Sequence, residues 1–145
     1  MKKPWTTLQL TDLSSLEYEV TQNGATEPPY QNKYWNNQEK GIYVDILSGE
    51  PLFVSSTQYN AGCGWPSFTK PIDKTLLQEK PDHSLSITRT EVRTSKTNIH
   101  LGHVFNDGPQ TDGGLRYCIN SAALRFIPLA KMAATGYEEY IPLIK

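Results

Sequence analysis

The fold is decided by the stretch Gly41-Ile42-Tyr43-Val44-Asp45-Ile46-Leu47-Ser48-Gly49-Glu50-Pro51-Leu52-Phe53-Val54. Its two apolar runs are rich in β-branched and aromatic residues, which favour strands. The polar tripeptide Ser48-Gly49-Glu50 lies between them and is typical of a turn. The stretch therefore predicts an antiparallel pair of strands, Gly41–Leu47 and Pro51–Val54.

The rest of the chain continues this pattern. Loops dense in Gly, Pro, Asn and Asp separate short apolar segments after the hairpin. These segments predict four more strands: Leu85–Thr94, Ile99–Phe105, Leu115–Asn120 and Ala123–Ile127. We expect a mainly β fold in a single domain of residues 1–145.

Helical patterns are confined to the two ends. Residues 11–22 predict an amphipathic helix. Thr11 is a plausible N-cap, and Gly24 follows as a stop. The apolar stripe consists of Leu13, Leu16 and Val20. An extended arm is predicted at Thr26–Tyr30, because proline restricts both itself and the residue before it. A short helix is predicted from Leu129 to Ala134.

Composition excludes several classes of protein. The 145 residues carry 14 basic and 15 acidic side chains, a formal net charge of −1, so no basic field could hold a nucleic-acid backbone or a membrane surface. Met1–Thr6 has two lysines but no apolar run behind them, unlike a secretory leader, and no apolar stretch could span a bilayer. We therefore expect a cytoplasmic protein that acts as a monomer.

Two cysteines in the cytosol are expected to be reduced, so their pair is a candidate for transient redox chemistry. Alternation in a strand places Cys118 on the same face as Arg116 and Asn120, opposite a core face. The guanidinium of Arg116 would favour the thiolate, which is the nucleophile. The alternative is an inert, half-buried Cys118.

Two of the three histidines lie in one segment. In a regular strand His100 and His103 would face opposite sides, but a bulge at Gly102 would bring both to one face. Histidine carries protons near neutral pH, and Asp107 could orient one ring. Alternatively, one histidine is a satisfied core residue and the other a surface one.

A third segment centres on Cys63, which has a glycine on each side. These glycines predict a loop with the freedom that a thiol needs to swing towards another. Trp65 offers a rigid apolar wall with one polar N–H. The alternative is a turn beside a core tryptophan.

Three other functions use the same residues. A zinc site could be built from Cys63, His100, His103 and Cys118, although the spacing of structural zinc sites is absent. Cys118, His103 and Asn120 could serve acyl transfer, as in cysteine hydrolases, but Cys63 would then be unused. A noncatalytic β-module could bind peptides in a cleft at Trp65 without any reactive thiol.

Taken together, these residues resemble the methionine-R-sulfoxide reductase B family. Four stretches are similar to its signature blocks, in order: Gly62–Phe68, Arg89–Arg93, His100–Phe105 and Leu115–Ala122. The resemblance runs from the N-terminal helix to about Pro128. It implies two twisted antiparallel sheets with short flanking helices.

The resemblance also implies a mechanism for reducing the R epimer of methionine sulfoxide, free or in oxidised proteins. Cys118 would be the nucleophile that becomes a sulfenic acid, and Cys63 would resolve it as a disulfide that thioredoxin or another dithiol reduces. No cofactor is expected beyond that reductant. By resemblance His100, His103, Asp107 and Asn120 line the pocket, Arg116 lies beside it and Trp65 receives the substrate methyl group. The sulfoxide oxygen can leave only when it is protonated, so an acid is needed, and His103 is the first candidate and His100 the second.

One departure from that family concerns metal. Many members bind structural zinc through two Cys-x-x-Cys pairs, and the matching positions here are Asp45, Ser48, Thr94 and Thr97. Carboxylate and hydroxyl groups cannot replace four thiolates for zinc. We therefore expect a chain without bound metal.

Overall fold

The computed structural model describes residues 5–145; Met1–Pro4, which carry most of the segment used to predict the lack of a leader, lie outside the described residues. The chain forms strands at β1 (Gly41–Asp45), β2 (Pro51–Val54), β3 (Gln58–Tyr59), β4 (Ser67–Phe68), β5 (Leu77–Asp82), β6 (Arg89–Thr94), β7 (His100–Phe105), β8 (Arg116–Ile119) and β9 (Leu124–Pro128). They pair into a three-stranded sheet of order β2-β1-β9 and a six-stranded sheet of order β3-β4-β8-β7-β6-β5. Every pairing is antiparallel, which confirms the predicted mainly β fold.

Helices are few and short. They are α1 (Ser15–Asn23), α2 (Leu129–Met132) and 3₁₀ segments at Leu10–Asp12, Ser55–Thr57, Lys74–Leu76, Gln110–Asp112, Ser121–Ala123 and Glu138–Leu143. Within residues 5–145, none combines the length and the apolar character that crossing a membrane requires.

Helix α1 begins later than predicted because Ser14, not Thr11, caps it. The Ser14 hydroxyl accepts a hydrogen bond from the Glu17 N–H at 3.1 Å, and the Glu17 carboxylate accepts one from the Ser14 N–H at 2.8 Å. This reciprocal capping box satisfies two backbone donors that the first turn leaves free. Thr11 lies instead in the preceding 3₁₀ turn.

The apolar stripe of α1 is narrower than predicted. Val20 is fully buried and Leu13 packs against the core, but Leu16 is 47% exposed. Gly24 ends the helix, as predicted. Its φ of 71° is left-handed, and glycine adopts this conformation without the steric strain that a Cβ would cause.

The predicted strand Leu85–Thr94 is wrong in its first half. Leu85 and Ile87 are 58% and 74% exposed in the loop before β6. The strand that pairs with β6 is β5, which the sequence did not predict because it contains Pro81. Proline is tolerated there because β5 is the edge strand, where its missing N–H disturbs no ladder.

The main core lies between the two sheets. Tyr43 and Phe53 of the small sheet pack with Phe68 and Tyr117 of the large one, and the Phe53 and Phe68 rings stack with centroids 4.4 Å apart. The alternate residues of β1 point the other way, into a second cluster with Met132 and Tyr137. Strand β1 is therefore buried on both faces, which explains its almost continuous apolar sequence.

Candidate active site

The register of the large sheet puts Cys118 at the centre of a row of polar side chains. Ser67 of β4 lies opposite Cys118 of β8, Cys118 opposite His103 of β7, and His103 opposite Glu91 of β6. Directly paired residues share one face of a sheet and have neighbouring side chains. Tyr117 and Ile119 enter the core on the other face, as the alternation predicts.

Cys63 meets this row without any movement of its loop. Its Sγ lies 3.4 Å from the Cys118 Sγ and 3.2 Å from the Ser67 hydroxyl. The flanking residues Gly62 and Gly64 have φ values of 74° and 90°, which glycine adopts readily. A Cβ on Gly64 would come within 2.6 Å of the Pro29 Cβ, so this glycine permits a close contact between segments.

The two thiols share a proton unequally. The hydrogen bond from Cys118 is the main cause that lowers the pKa of Cys63 to about 5, against the opposing effect of burial, and Ser67 adds to it. The same bond, followed by burial, raises the pKa of Cys118. The contact therefore favours the thiolate form of Cys63 over that of Cys118. The guanidinium of Arg116 lowers the pKa of both thiols.

Asp107 does not orient a histidine, contrary to the sequence prediction. Its carboxylate accepts hydrogen bonds from Arg116 Nε at 2.8 Å and from Arg116 Nη2 at 3.2 Å. The reason is the β7–β8 register, which puts Arg116 opposite Phe105, so that Asp107 just beyond the strand reaches across to it. Asp107 is 63% exposed, and Arg116 also stacks 4.2 Å above the Phe105 ring.

A bulge brings both histidines to one side, as predicted. The β6–β7 pairing passes from Val92 opposite Gly102 to Arg93 opposite His100, which leaves Leu101 as an extra residue. An extra residue reverses the alternation beyond it. The His100 and His103 rings consequently meet edge to face, with centroids 5.6 Å apart.

Each histidine has a carboxylate partner that the sequence did not predict. His103 Nε2 lies 2.6 Å from Asp82 Oδ2, and His100 Nδ1 lies 2.7 Å from Glu91 Oε2. The contact with His103 is the main cause that lowers the pKa of Asp82. Burial lowers the pKa of His100 despite Glu91, so His100 favours its neutral form.

A cleft of about 270 Å³ opens onto these groups. Six of the predicted residues line it: Cys63, Trp65, His103, Arg116, Cys118 and Asn120. His100 and Asp107 are not among its lining residues; His100 is only 2% exposed, and its Nε2 has no hydrogen-bond partner within residues 5–145. Sequence reasoning missed the lining residues Thr26, Arg89 and Phe105.

Comparison with known proteins identifies the family of this chain. The model of the SelR domain matches residues 13–128, which include every residue of the cleft. The chain belongs to the SelR domain family. This confirms the resemblance to the methionine-R-sulfoxide reductase B family.

A curated relative of this SelR domain comes from Vibrio cholerae serotype O1 (strain ATCC 39315 / El Tor Inaba N16961). It is named peptide methionine sulfoxide reductase MsrA/MsrB and is 59% identical over 133 residues. The match covers 92% of this chain but 35% of the relative, so the chain spans about a third of that protein's length.

In this SelR domain the Asn120 side chain contacts neither histidine. Its Oδ1 accepts a hydrogen bond from the Glu27 N–H at 3.0 Å, and its Nδ2 donates to the Leu101 carbonyl at 3.1 Å. Both ends of the amide are thus occupied by backbone groups. The nucleophile, base and orienting amide of a cysteine hydrolase are not assembled here.

The positions that match family zinc ligands form a hydrogen-bonded cluster. Asp45 is fully buried; its Oδ2 accepts from the Thr97 hydroxyl at 2.5 Å, and its Oδ1 accepts from the N–H groups of Leu47 and Ser48 at 2.7 and 3.2 Å. The hydroxyls of Thr94 and Thr97 are 2.6 Å apart. One carboxylate and three hydroxyls already bonded in this way do not fit zinc, which prefers thiolate and imidazole ligands.

Proposed function

We propose that this chain reduces the R epimer of methionine sulfoxide, free or within oxidised proteins, to methionine. The observation that carries the proposal is the contact between the sulfurs of Cys63 and Cys118, at 3.4 Å in a cleft beside His103. Methionine sulfoxide is polar and chiral, and one type of reductase serves each sulfur epimer. Trp65 on one wall and polar groups on another would distinguish the methyl group from the oxygen.

The chemistry requires the thiolate of Cys118, which the nearby Arg116 guanidinium favours. The thiolate attacks the sulfoxide sulfur and forms an S–S bond as the oxygen accepts a proton. The hydroxyl group then moves to the Cys118 sulfur while the substrate S–O bond and the new S–S bond break. The substrate sulfur gains two electrons and leaves as methionine, and Cys118 loses two electrons and becomes a sulfenic acid. The Cys63 thiolate next attacks the sulfur of this sulfenic acid, which forms the disulfide and releases the hydroxyl group as water once it accepts a proton.

His103 is the proposed acid. It lies directly opposite Cys118 in the sheet and lines the cleft, and its Nε2 lies 2.6 Å from Asp82 Oδ2, which fixes the ring. His100 is buried behind it with a lowered pKa, which suits a neutral residue that positions its neighbour. An acid in this place would protonate the oxygen as negative charge develops there.

The disulfide must be reduced before another turnover. Cys63 is the more accessible sulfur for an external dithiol such as thioredoxin, which would restore both thiols without any bound cofactor. We propose that this occurs in the cytoplasm, as part of the repair of oxidised proteins, and that the enzyme acts as a monomer.

The test uses the reduced protein with each epimer separately. We expect the R epimer to consume two thiols per chain without added reductant, and to be turned over continuously with dithiothreitol or thioredoxin. Reduction of the S epimer alone would contradict the proposed specificity. Retention of both thiols with either epimer would favour a noncatalytic module.

A further inference from the structure

We infer that Glu27 is a positioning residue that holds Trp65 and Asn120 in place through the backbone of its own arm. The arm is the segment Thr26–Tyr30, which the sequence predicts to be extended and which is not helical in the structure. The inference deepens the proposed function and rests on it for the role of Trp65. Its structural basis is independent of any activity.

The Glu27 side chain is an unusual group to bury. The residue is only 4% exposed, and burial raises its pKa. Its Oε1 accepts a hydrogen bond from the Ala122 N–H at 2.8 Å, and the Ser121 amide also favours the carboxylate. No basic side chain within residues 5–145 forms an ion pair with it. The carboxylate is therefore held by the amides of the turn that directly follows β8.

The backbone of Glu27 forms hydrogen bonds with the side chains of two residues of the cleft. Its carbonyl accepts a hydrogen bond from the Trp65 indole N–H at 2.8 Å, and its N–H donates to Asn120 Oδ1 at 3.0 Å. Asn120 in turn donates to the carbonyl of Leu101, the bulge residue between the two histidines. Hydrogen bonds of Glu27 thus join its own arm to the segments of Trp65 and Asn120, and Asn120 extends the connection to the segment of Leu101.

The end of the arm at Tyr30 is also held by hydrogen bonds. Pro28 and Pro29 restrict the backbone after Glu27. The Tyr30 N–H then donates to the Gly64 carbonyl at 2.9 Å, and its hydroxyl donates to the Gly62 carbonyl at 2.8 Å. A stiff arm tied down on both sides can hold a large ring accurately. Glu27→Gln keeps one acceptor oxygen but removes the charge and places an NH2 group beside the Ser121 and Ala122 amides, so it should loosen the end of the arm that carries Trp65.

This arrangement predicts which kinetic constant should change. Trp65 is the wall for the substrate methyl group, so a loosened arm should weaken binding of the sulfoxide. The contact between the Cys63 and Cys118 sulfurs does not depend on Glu27, so thiol chemistry should change less. Misplacing a contact remote from the chemistry costs up to about 100-fold. We expect KM for the R epimer to rise roughly 10-fold in Glu27→Gln, with a smaller effect on kcat.

A matched control exists in Asp45→Asn. Asp45 is also a buried carboxylate that accepts two backbone N–H groups, but it lies outside the cleft. Both variants should be assayed where circular dichroism shows them folded, and Asp45→Asn should keep the KM of the unaltered protein. A double-mutant cycle with Trp65→Phe should show that Glu27→Gln has little further effect once the indole N–H is gone.

A spectroscopic readout separates this inference from the proposed function. The indole N–H resonance of Trp65, assigned with Trp65→Phe, should shift in Glu27→Gln and stay in place in Asp45→Asn. If the unaltered protein reduces no sulfoxide but the resonance shifts, the proposed function fails and the anchoring role stands. An unshifted resonance, or a KM in Glu27→Gln equal to that of Asp45→Asn, would overturn the inference.

Discussion

The sulfur of Cys63 lies 3.4 Å from the sulfur of Cys118, although 55 residues separate them in the chain. At this distance the two sulfurs are hydrogen-bonded, and the bond is the main cause that lowers the pKa of Cys63 and raises the pKa of Cys118. The contact also brings the two sulfurs together for disulfide formation.

The first prediction concerns the titration of the pair. The pKa of Cys63 is about 5 chiefly because Cys118 donates a hydrogen bond to it. Cys118→Ala should therefore raise the pKa of Cys63 towards the ordinary thiol range, so that thiolate absorbance appears only at higher pH. Ser67→Ala should give a smaller rise, because Ser67 is the weaker donor. A titration curve of Cys118→Ala that matched that of the unaltered protein would refute the sharing of a proton.

The second prediction separates nucleophile from resolver. Cys118→Ser should abolish reduction of the R epimer, because a hydroxyl is a far weaker nucleophile than a thiolate. Cys63→Ser should release one methionine per chain and then stop with a sulfenic acid on Cys118, detectable by mass spectrometry. Failure of Cys63→Ser to release any methionine in a single-turnover assay would mean that Cys63 is required for the chemical step.

The third prediction concerns the acid. His103→Gln should lower the single-turnover rate by roughly 100-fold or more, the scale of a lost general acid. Substrate affinity should change far less, because the proton acts on charge that develops in the transition state. His100→Gln should cause a smaller loss, since its ring is buried outside the cleft lining. The reverse order of the two burst rates would exchange the roles assigned to the histidines.

The fourth prediction uses two carboxylates near the site. Asp82 contacts His103, whereas Asp107 contacts only Arg116 among the hydrogen bonds of the described residues. Asp82→Asn replaces the carboxylate that holds the His103 ring, so the burst rate should fall by roughly 10- to 100-fold, the scale of a misplaced catalytic group. Asp107→Asn is the control and should cause a smaller loss of burst rate. A larger loss in Asp107→Asn than in Asp82→Asn would restore the partner expected from the sequence.

The fifth prediction concerns the positions that match zinc ligands. The purified protein should contain no stoichiometric zinc and should keep its fold in a chelator, because those positions supply one carboxylate and three hydroxyls. Asp45→Asn should lower the free energy of unfolding by about 2 kcal/mol, the scale of a buried donor left without its charged acceptor. The exposed Asp107→Asn should cost far less in denaturant unfolding. One tightly held metal per chain in elemental analysis would contradict this prediction.

The sequence by itself determined the strand pattern from β7 to β9, the hairpin of β1 and β2, and six of the residues that line the cleft. These features are local, since side-chain alternation and turn residues act over a few positions. The bulge beside Gly102 could also be predicted, because His100 and His103 needed an extra residue to share a face. The single-domain and metal-free predictions stay predictions.

Only the tertiary structure decided which groups act together. Asp82 lies in edge strand β5, whose proline made the strand hard to predict from sequence. Glu91 lies in one of the four stretches similar to the family's signature blocks, but that similarity did not indicate its contact with His100. The alternation in the strand puts Arg89, Glu91 and Arg93 on one face of β6. It does not predict that this face places Glu91 beside His100. The sequence predicts that Asp107 orients one of the histidine rings, whereas the strand register places it beside Arg116. Hydrogen-bond partners across a sheet depend on register between distant segments, which local sequence patterns do not encode.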